Sequence, residues 1–288
     1  MVAFPEDFTP DLRRLKSWPQ MEDSPWRQPY LADLTYGELH RLVDEFVTGH
    51  GLRILDVGCG TGFMSLELAR EGHHVLGLDS DQEIINIAVR TMNSDPSKSE
   101  RGFLEYTRAD FTAWEGPKTD YDLVIVSRAL HHNPQPEKAL NKAHKLLRET
   151  GRLVCIDFAY DQFDQQTGTW LYHMRKALEK AGWYKAEGRL PDDINAATRR
   201  ILKEWFEEYE KRGSFNRFEE MRKPLYRLFQ EEHFSWKPYL YWEIIRHMRV
   251  PSDEVELEMA RTISSMERTL IETQQIKPVL FCFVGTKK

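Results

Sequence analysis

Three glycines on alternate positions, Gly58, Gly60 and Gly62, follow an apolar run and precede an amphipathic one in the stretch Ile54-Leu55-Asp56-Val57-Gly58-Cys59-Gly60-Thr61-Gly62. Glycines placed this way let the backbone approach a ligand closely, because glycine accepts a tight turn and puts no side chain into the space. Asp56 sets a carboxylate beside that turn. Roughly 20 residues past the loop Asp79 ends a second apolar run, the distance at which nucleotide-binding units place a carboxylate that accepts both ribose hydroxyls. Further on, His131 and His132 are adjacent. Imidazole titrates near neutral pH, so either ring could take the proton of an attacking hydroxyl, and either could equally shape a pocket floor.

These residues need a frame of alternating strands and helices. Arg53–Val57 reads as a buried strand and Phe63–Arg70 as a helix stopped by Gly72. Residues 74–79 form the next strand, with Ser80 or Asp81 placed to cap a helix over 82–92. Strands follow at 103–108, 121–126 and 152–157. Such alternation predicts a doubly wound α/β sheet, whose ligands sit outside the carboxyl ends of the parallel strands. A nicotinamide fingerprint would carry its third glycine one place later, where this chain has Phe63.

Asp56, Gly58, Gly60 and Gly62 resemble the first motif of the class I S-adenosylmethionine-dependent methyltransferases, an acidic residue followed by Gly-x-Gly-x-Gly. Leu130-His131-His132 with its following proline turn, and the pattern to Gly151, look like the small-molecule branch that includes the quinone-biosynthesis enzymes. The resemblance implies a seven-stranded, mostly parallel, Rossmann-like sheet whose last strand is antiparallel, inserted between the fifth and sixth. It implies S-adenosylmethionine held by Asp56, Gly58, Cys59, Gly60, Gly62, Asp79, Ser80, Asp110, Phe111 and Ser127. In that scheme Asp110 meets the adenine amine and Phe111 the ring. That cofactor has no phosphate and carries a sulfonium, so a carboxylate at the loop suits it better than a phosphate nest would. The amine methyltransferases of DNA place an Asn or Asp followed by Pro-Pro and an aromatic after the fourth strand, to hold a flipped base. This chain has Ser127-Arg128-Ala129 there, which also cannot supply the acidic metal ligand of catechol-type enzymes.

The remaining organisation reads as residues 1–158 forming an N-terminal segment and cofactor-binding core, 159–232 a mostly helical cap, and 233–288 the completion of the sheet. Helices are expected over 36–47, 165–182, 192–211, 215–232 with Pro224 as a kink, and 252–273, and strands over 234–240 and 278–285. Residues 158–242 hold 19 of the 34 aromatic residues, which favours a roofed apolar pocket over a flat surface. Aromatic pairs at helical spacing such as Trp205 and Tyr209 read first as packing, and the charges of 203–212 as a solvated helix face. Candidate pocket residues are Trp26 and Tyr30 as a lid, with Tyr160, Trp170, Trp236 and Tyr239. His131 and His132 are the candidate catalytic residues, and no metal is expected.

A net charge of −6 gives no basic footprint for nucleic acid. No apolar stretch approaches the length of a membrane span, and the first residues lack the pattern of a secretory leader. Three cysteines, Cys59, Cys155 and Cys282, fall in buried elements, as expected of a reducing compartment and a cytoplasmic protein. The expected function is methyl transfer to a small aromatic or lipid-like acceptor on O, N, S or C. The alternatives are a protein methyltransferase or a non-catalytic S-adenosylmethionine-binding protein.

Overall fold

A computed structural model describes residues 4–116, 120–185, 190–211 and 215–288. Met1 to Ala3, part of the stretch read for a leader, and Arg212, the end of the charged run, lie outside the described residues. Among the described residues seven strands form one sheet: β1 (Arg53–Val57), β2 (His74–Asp79), β3 (Leu104–Arg108), β4 (Tyr121–Ser127), β5 (Leu147–Phe158), β6 (Phe229–Lys237) and β7 (Leu280–Lys287), in the order β3-β2-β1-β4-β5-β7-β6. The first five are parallel, and β7 runs antiparallel between β5 and β6. The order reverses at β1, where β2 pairs on one side and β4 on the other. Ligands gather at such a switch point.

Among the described residues ten α-helices accompany the sheet: α1 (Pro29–Ala32), α2 (Glu38–Asp44), α3 (Phe63–Arg70), α4 (Gln82–Asn93), α5 (Pro136–Leu146), α6 (Gln165–Lys180), α7 (Ile194–Lys211), α8 (Phe218–Leu228), α9 (Leu240–Ile245) and α10 (Asp253–Glu272). Successive strand residues serve opposite faces, as the pleat requires. Ile54, Val75 and Ile125 pack with Phe63, Leu66 and Ala88 of α3 and α4. Leu55, Val124 and Val126 pack with Leu140 of α5 and Met221 and Leu225 of α8. A third apolar cluster joins α6, α7 and α9 through Leu171, Ile201, Trp205 and Ile244.

Several boundaries differ from the sequence reading. The helix expected over 215–232 ends at Leu228, because Phe229 to Glu231 pair with the outer edge of β7, with a register irregularity at Glu232; strand pairing there overrides the helical preference of Gln230-Glu231-Glu232. Buried Pro224 sits within α8, and the helix continues through it. β6 ends at Lys237, since Leu240 already opens α9. The helix expected over 36–47 is α2 preceded by a π turn at Asp33–Gly37, and β5 begins five residues earlier than the expected 152, with a register irregularity opposite Tyr121 and Leu123.

The N-terminal segment is bolted down. Phe8, Trp18, Met21 and Trp26 are buried against the α3 side of the core. Arg70 of α3 donates to both oxygens of Asp11 at 2.9 Å and to Asp95 at 2.8 Å. Burial pushes the Asp11 carboxyl up, but hydrogen bonds from Arg70 and Arg14 overcome it and hold it well below the usual range.

Candidate functional site

A cavity of about 890 Å³ opens at the carboxyl ends of β1, β2 and β4. It brings together Asp56, Gly58, Cys59, Gly60, Asp79, Ser80, Asp110, Phe111, Ser127, His131 and His132, with Trp26 and Tyr239 above them. Gly62 is behind the cavity wall: a Cβ there would meet Tyr106 and Ala88 within 2.7 Å, so its glycine serves helix–strand packing. At Gly58 a Cβ would lie 2.3 Å from the Ala129 Cβ, while Gly60, at φ +54, faces open cavity with nothing within 4 Å. The loop is fixed from β2, because Gly58 and Cys59 both donate to the Leu78 carbonyl at 2.7 and 2.9 Å.

Asp79 braces the same loop. One of its oxygens accepts from Gly60 N–H and the other from Asp81 N–H, each at 3.0 Å. A carboxylate has about four acceptor positions, so each oxygen retains one for a ligand hydroxyl. Asp81, and not Ser80, caps α4, accepting from Glu83 N–H at 2.8 Å. Asp110 uses one oxygen for the Thr112 N–H and hydroxyl, both at 2.8 Å, which hold the group below the usual carboxylate range. Asp110 lines the cavity together with buried Phe111 and with Ile84, apolar lining of the kind a purine ring packs against.

Asp56 differs from the expectation of a carboxylate offered to a ligand. It is 1% exposed and accepts from the Ser65 hydroxyl at 2.6 Å, so it ties β1 to α3 from behind the loop. Burial pushes it up to about 6 against the Ser65 hydrogen bond, and the nearby charge of Asp79 adds to the rise. Cys59 is likewise inert: burial, then the charges of Asp56 and Asp79, raise its thiol.

The second pole of the cavity lies on the β4–α5 connection. Asp157, fully buried at the end of β5, grips that connection with both oxygens. Oδ2 accepts from Leu130 N–H at 2.7 Å and His131 N–H at 3.2 Å; Oδ1 accepts from Phe158 N–H at 2.7 Å and faces His131 Nδ1 at 2.5 Å. His131 stacks on Phe215, centroids 5.2 Å apart and planes 11° apart, with Phe158 edge-on. Asn216, next in the chain, donates its side-chain amide to the carbonyls of Leu130 and Asn133 and its N–H to that of His131. His132 is exposed and its ring stands 4.0 Å from that of His131.

Four expected pocket residues are elsewhere. Tyr30 donates its hydroxyl to Glu256 at 2.5 Å, outside the cavity lining. Tyr160 stacks on Tyr209 at 4.7 Å and donates to the Phe215 carbonyl, and Trp170 packs against the α6–α7–α9 cluster. Trp236 sits on the opposite sheet face, 5.0 Å from Phe218. Composition located the aromatics in the right half of the chain, but each is consumed by local packing. Conversely, Asp157, Arg128, Tyr36 and Asn216 carried no distinctive spacing. Asp157 alone had a signal, since it is an acidic residue ending an apolar parallel strand, as Asp79 does.

The described residues contain no group of three or more His, Cys, Asp or Glu side chains able to hold a metal ion, and no helix among them is long and apolar enough to cross a membrane. A glycine loop braced by an acidic strand end, a purine slot and carboxylates at one pole define a site for an adenosine ligand bearing positive charge.

A methyltransferase-domain family model matches residues 27–210. Relatives include the ubiquinone biosynthesis O-methyltransferase of Ruegeria sp. (strain TM1040), 30% identical over 132 residues, which are 46% of this chain and 51% of that protein. The match thus spans about half the length of that curated relative. Among solved structures, an S-adenosylmethionine-dependent methyltransferase from Mesorhizobium loti superposes with a TM-score of 0.52 at 21% identity, covering 87% of this chain and 97% of that one. The [4+2]-cyclase SpnF gives 0.53 at 16% identity, covering 94% and 83%; both similarities speak to fold alone. The chain belongs to the methyltransferase-domain family.

Proposed function

We propose that this enzyme methylates a small, apolar or aromatic acceptor, with His131 as general base and Asp157 as the group that orients it. The observation that carries the reading is the His131 Nδ1 to Asp157 Oδ1 contact of 2.5 Å, made by a histidine that lines the same cavity as the glycine loop. S-adenosylmethionine, when bound, supplies the methyl as an electrophile on its sulfonium. Asp79 and Asp110 would hold its ribose and adenine, and Gly58 and Gly60 would let the backbone approach its tail.

Asp157 accepts the Nδ1 proton, which assigns the lone pair to Nε2, the nitrogen that can take a proton from the acceptor as the new bond to the methyl forms. Phe215 and Phe158 hold the ring plane and keep water from it. Most of the rate then comes from alignment, because holding nucleophile and methyl in line removes on the order of 7 to 11 kcal/mol of barrier in favourable cases. The similarity to a ubiquinone biosynthesis O-methyltransferase supports an aromatic hydroxyl as the acceptor group. Purified protein incubated with methyl-labelled S-adenosylmethionine and the small-molecule fraction of a cell extract tests the reading. Label appearing in a small molecule supports it, whereas label confined to added protein would replace it with a protein acceptor.

A further inference from the structure

Arg128 follows the last residue of β4 and is one of only two non-glycine residues with positive φ among the described residues, at +52. Left-handed backbone is unfavourable for a side chain bearing a Cβ, and it persists where the surroundings fix it. Here its N–H donates to the Ile156 carbonyl at 2.7 Å, so the β5 edge holds the turn. The effect is to project a guanidinium toward the cavity, where its Cζ lies 5.2 Å from the centroid of the Tyr36 ring. Tyr36 in turn stacks on Trp26 at 5.0 Å, so two rings of the N-terminal segment back the charge.

Among the described residues no carboxylate lies within ion-pair distance of Arg128 and no hydrogen bond is made by its guanidinium. Four arginines lining the other cavities are paired: Arg27 with Glu256, Arg200 with Glu204, Arg246 with Glu243 and Arg249 with Glu22. Of the carboxylates lining the main cavity, Asp56 accepts from Ser65, Asp79 from Gly60 and Asp81, Asp81 from Glu83 and Asp110 from Thr112, and none of these is paired with Arg128. A guanidinium presents a planar fork matched to a carboxylate, and aromatic stacking holds that fork in place without neutralising it.

We infer that Arg128 is the carboxylate-binding residue of this cavity. The inference rests on the proposed reading of the site. Two carboxylates reach such a place: that of the methionine part of the cofactor, and that of an acidic acceptor. Both would meet Arg128 through the same bidentate chemistry.

Calorimetry on the intact chain separates them, with S-adenosylhomocysteine, its decarboxylated analogue that keeps the amine, and benzoate added to protein saturated with S-adenosylhomocysteine. The variants are R128M and R128K, whose backbone N–H bond to Ile156 is unchanged and whose fold is checked by circular dichroism. If the cofactor's carboxylate is the ligand, R128M binds S-adenosylhomocysteine roughly 10- to 100-fold more weakly, the loss expected for charge-assisted hydrogen bonds, while the decarboxylated analogue binds both proteins alike. If the acceptor supplies the carboxylate, S-adenosylhomocysteine binding is unchanged and benzoate binds the saturated wild type but not R128M. In either case R128K retains part of the affinity. Equal weakening of both adenosyl ligands, or benzoate indifferent to the variant with S-adenosylhomocysteine unchanged, overturns the inference. A wild type that binds neither adenosyl ligand removes the reading of the site itself.

Discussion

Asp79 is the position where ligand recognition and loop geometry meet. Replacing it by Ala removes two hydrogen bonds of 3.0 Å, from Gly60 N–H and Asp81 N–H, and the two remaining acceptor positions assigned to the ribose. Asp79 is only half-buried, so water can replace it on the N–H groups, and the fold should lose little. Hydrogen bonds to a charged group contribute about 1.5 to 3 kcal/mol each. Loss of the ribose pair, partly offset by water, therefore weakens S-adenosylhomocysteine by roughly 10- to 100-fold. D79N, which keeps one acceptor oxygen and no charge, falls between. Calorimetric titration with adenosine and with 2′,3′-dideoxyadenosine separates the two roles of the residue. Wild type should prefer the hydroxylated nucleoside, and D79A should show the preference collapsed. An undiminished preference in D79A would refute the ribose assignment and leave Asp79 as a loop brace alone.

The two cavity glycines should behave differently. G60A meets no atom, so it costs about 1 to 2 kcal/mol through its positive φ while cofactor binding is lost; G58A adds collision with Ala129 and should lower thermal stability further, which melting curves with and without S-adenosylhomocysteine will show. Glu267 of α10 accepts the N–H groups of Tyr239, Leu240 and Tyr241 and so holds the start of α9, which carries Trp242 over the cavity. Burial pushes it from 4.5 up to about 7 against those three bonds. The folded state then keeps a proton that the unfolded chain releases, so the stabilising contribution is whole below pH 4.5 and is lost as pH rises through about 7. At roughly 1.4 kcal/mol per pH unit this amounts to about 3 kcal/mol. Denaturation of E267Q should lack that slope, and parallel curves for the two proteins would contradict it. For the acceptor identified by labelling, H131N should lower kcat by roughly 100-fold or more if a base is needed, and D157N should shift the pH profile as well as kcat; a D157N profile that is merely scaled would make Asp157 a structural clamp.

The sheet was readable because buried parallel strands are near-continuous apolar runs and the glycine loop must lie between two such elements. Even the antiparallel β7 between β5 and β6 followed from the resemblance. What the residues alone did not disclose depends on three-dimensional register. Asp157 meets His131 only because β4 and β5 pair in the observed alignment, with Ser127 opposite Ile156. Asn216 reaches the same turn from more than 80 residues away, after α6 and α7. The pocket aromatics were harder still, since composition says how many rings a region has and not which way they face. Trp205 and Tyr209, read as packing, do pack, at 4.8 Å. Tyr30, Tyr160, Trp170 and Trp236 follow the same rule, while Trp26 and Tyr239 reach the cavity. Asp56 shows a related limit: the motif is present, yet its carboxyl supports α3 from inside the protein.

Methyl transfer to a small molecule is tested most directly by the fate of label from methyl-labelled S-adenosylmethionine after incubation with the protein and a fractionated cell extract. Label is expected in the small-molecule fraction, strongly reduced in H131N and in D79A. Saturable cofactor binding with label recovered only in macromolecules would contradict it.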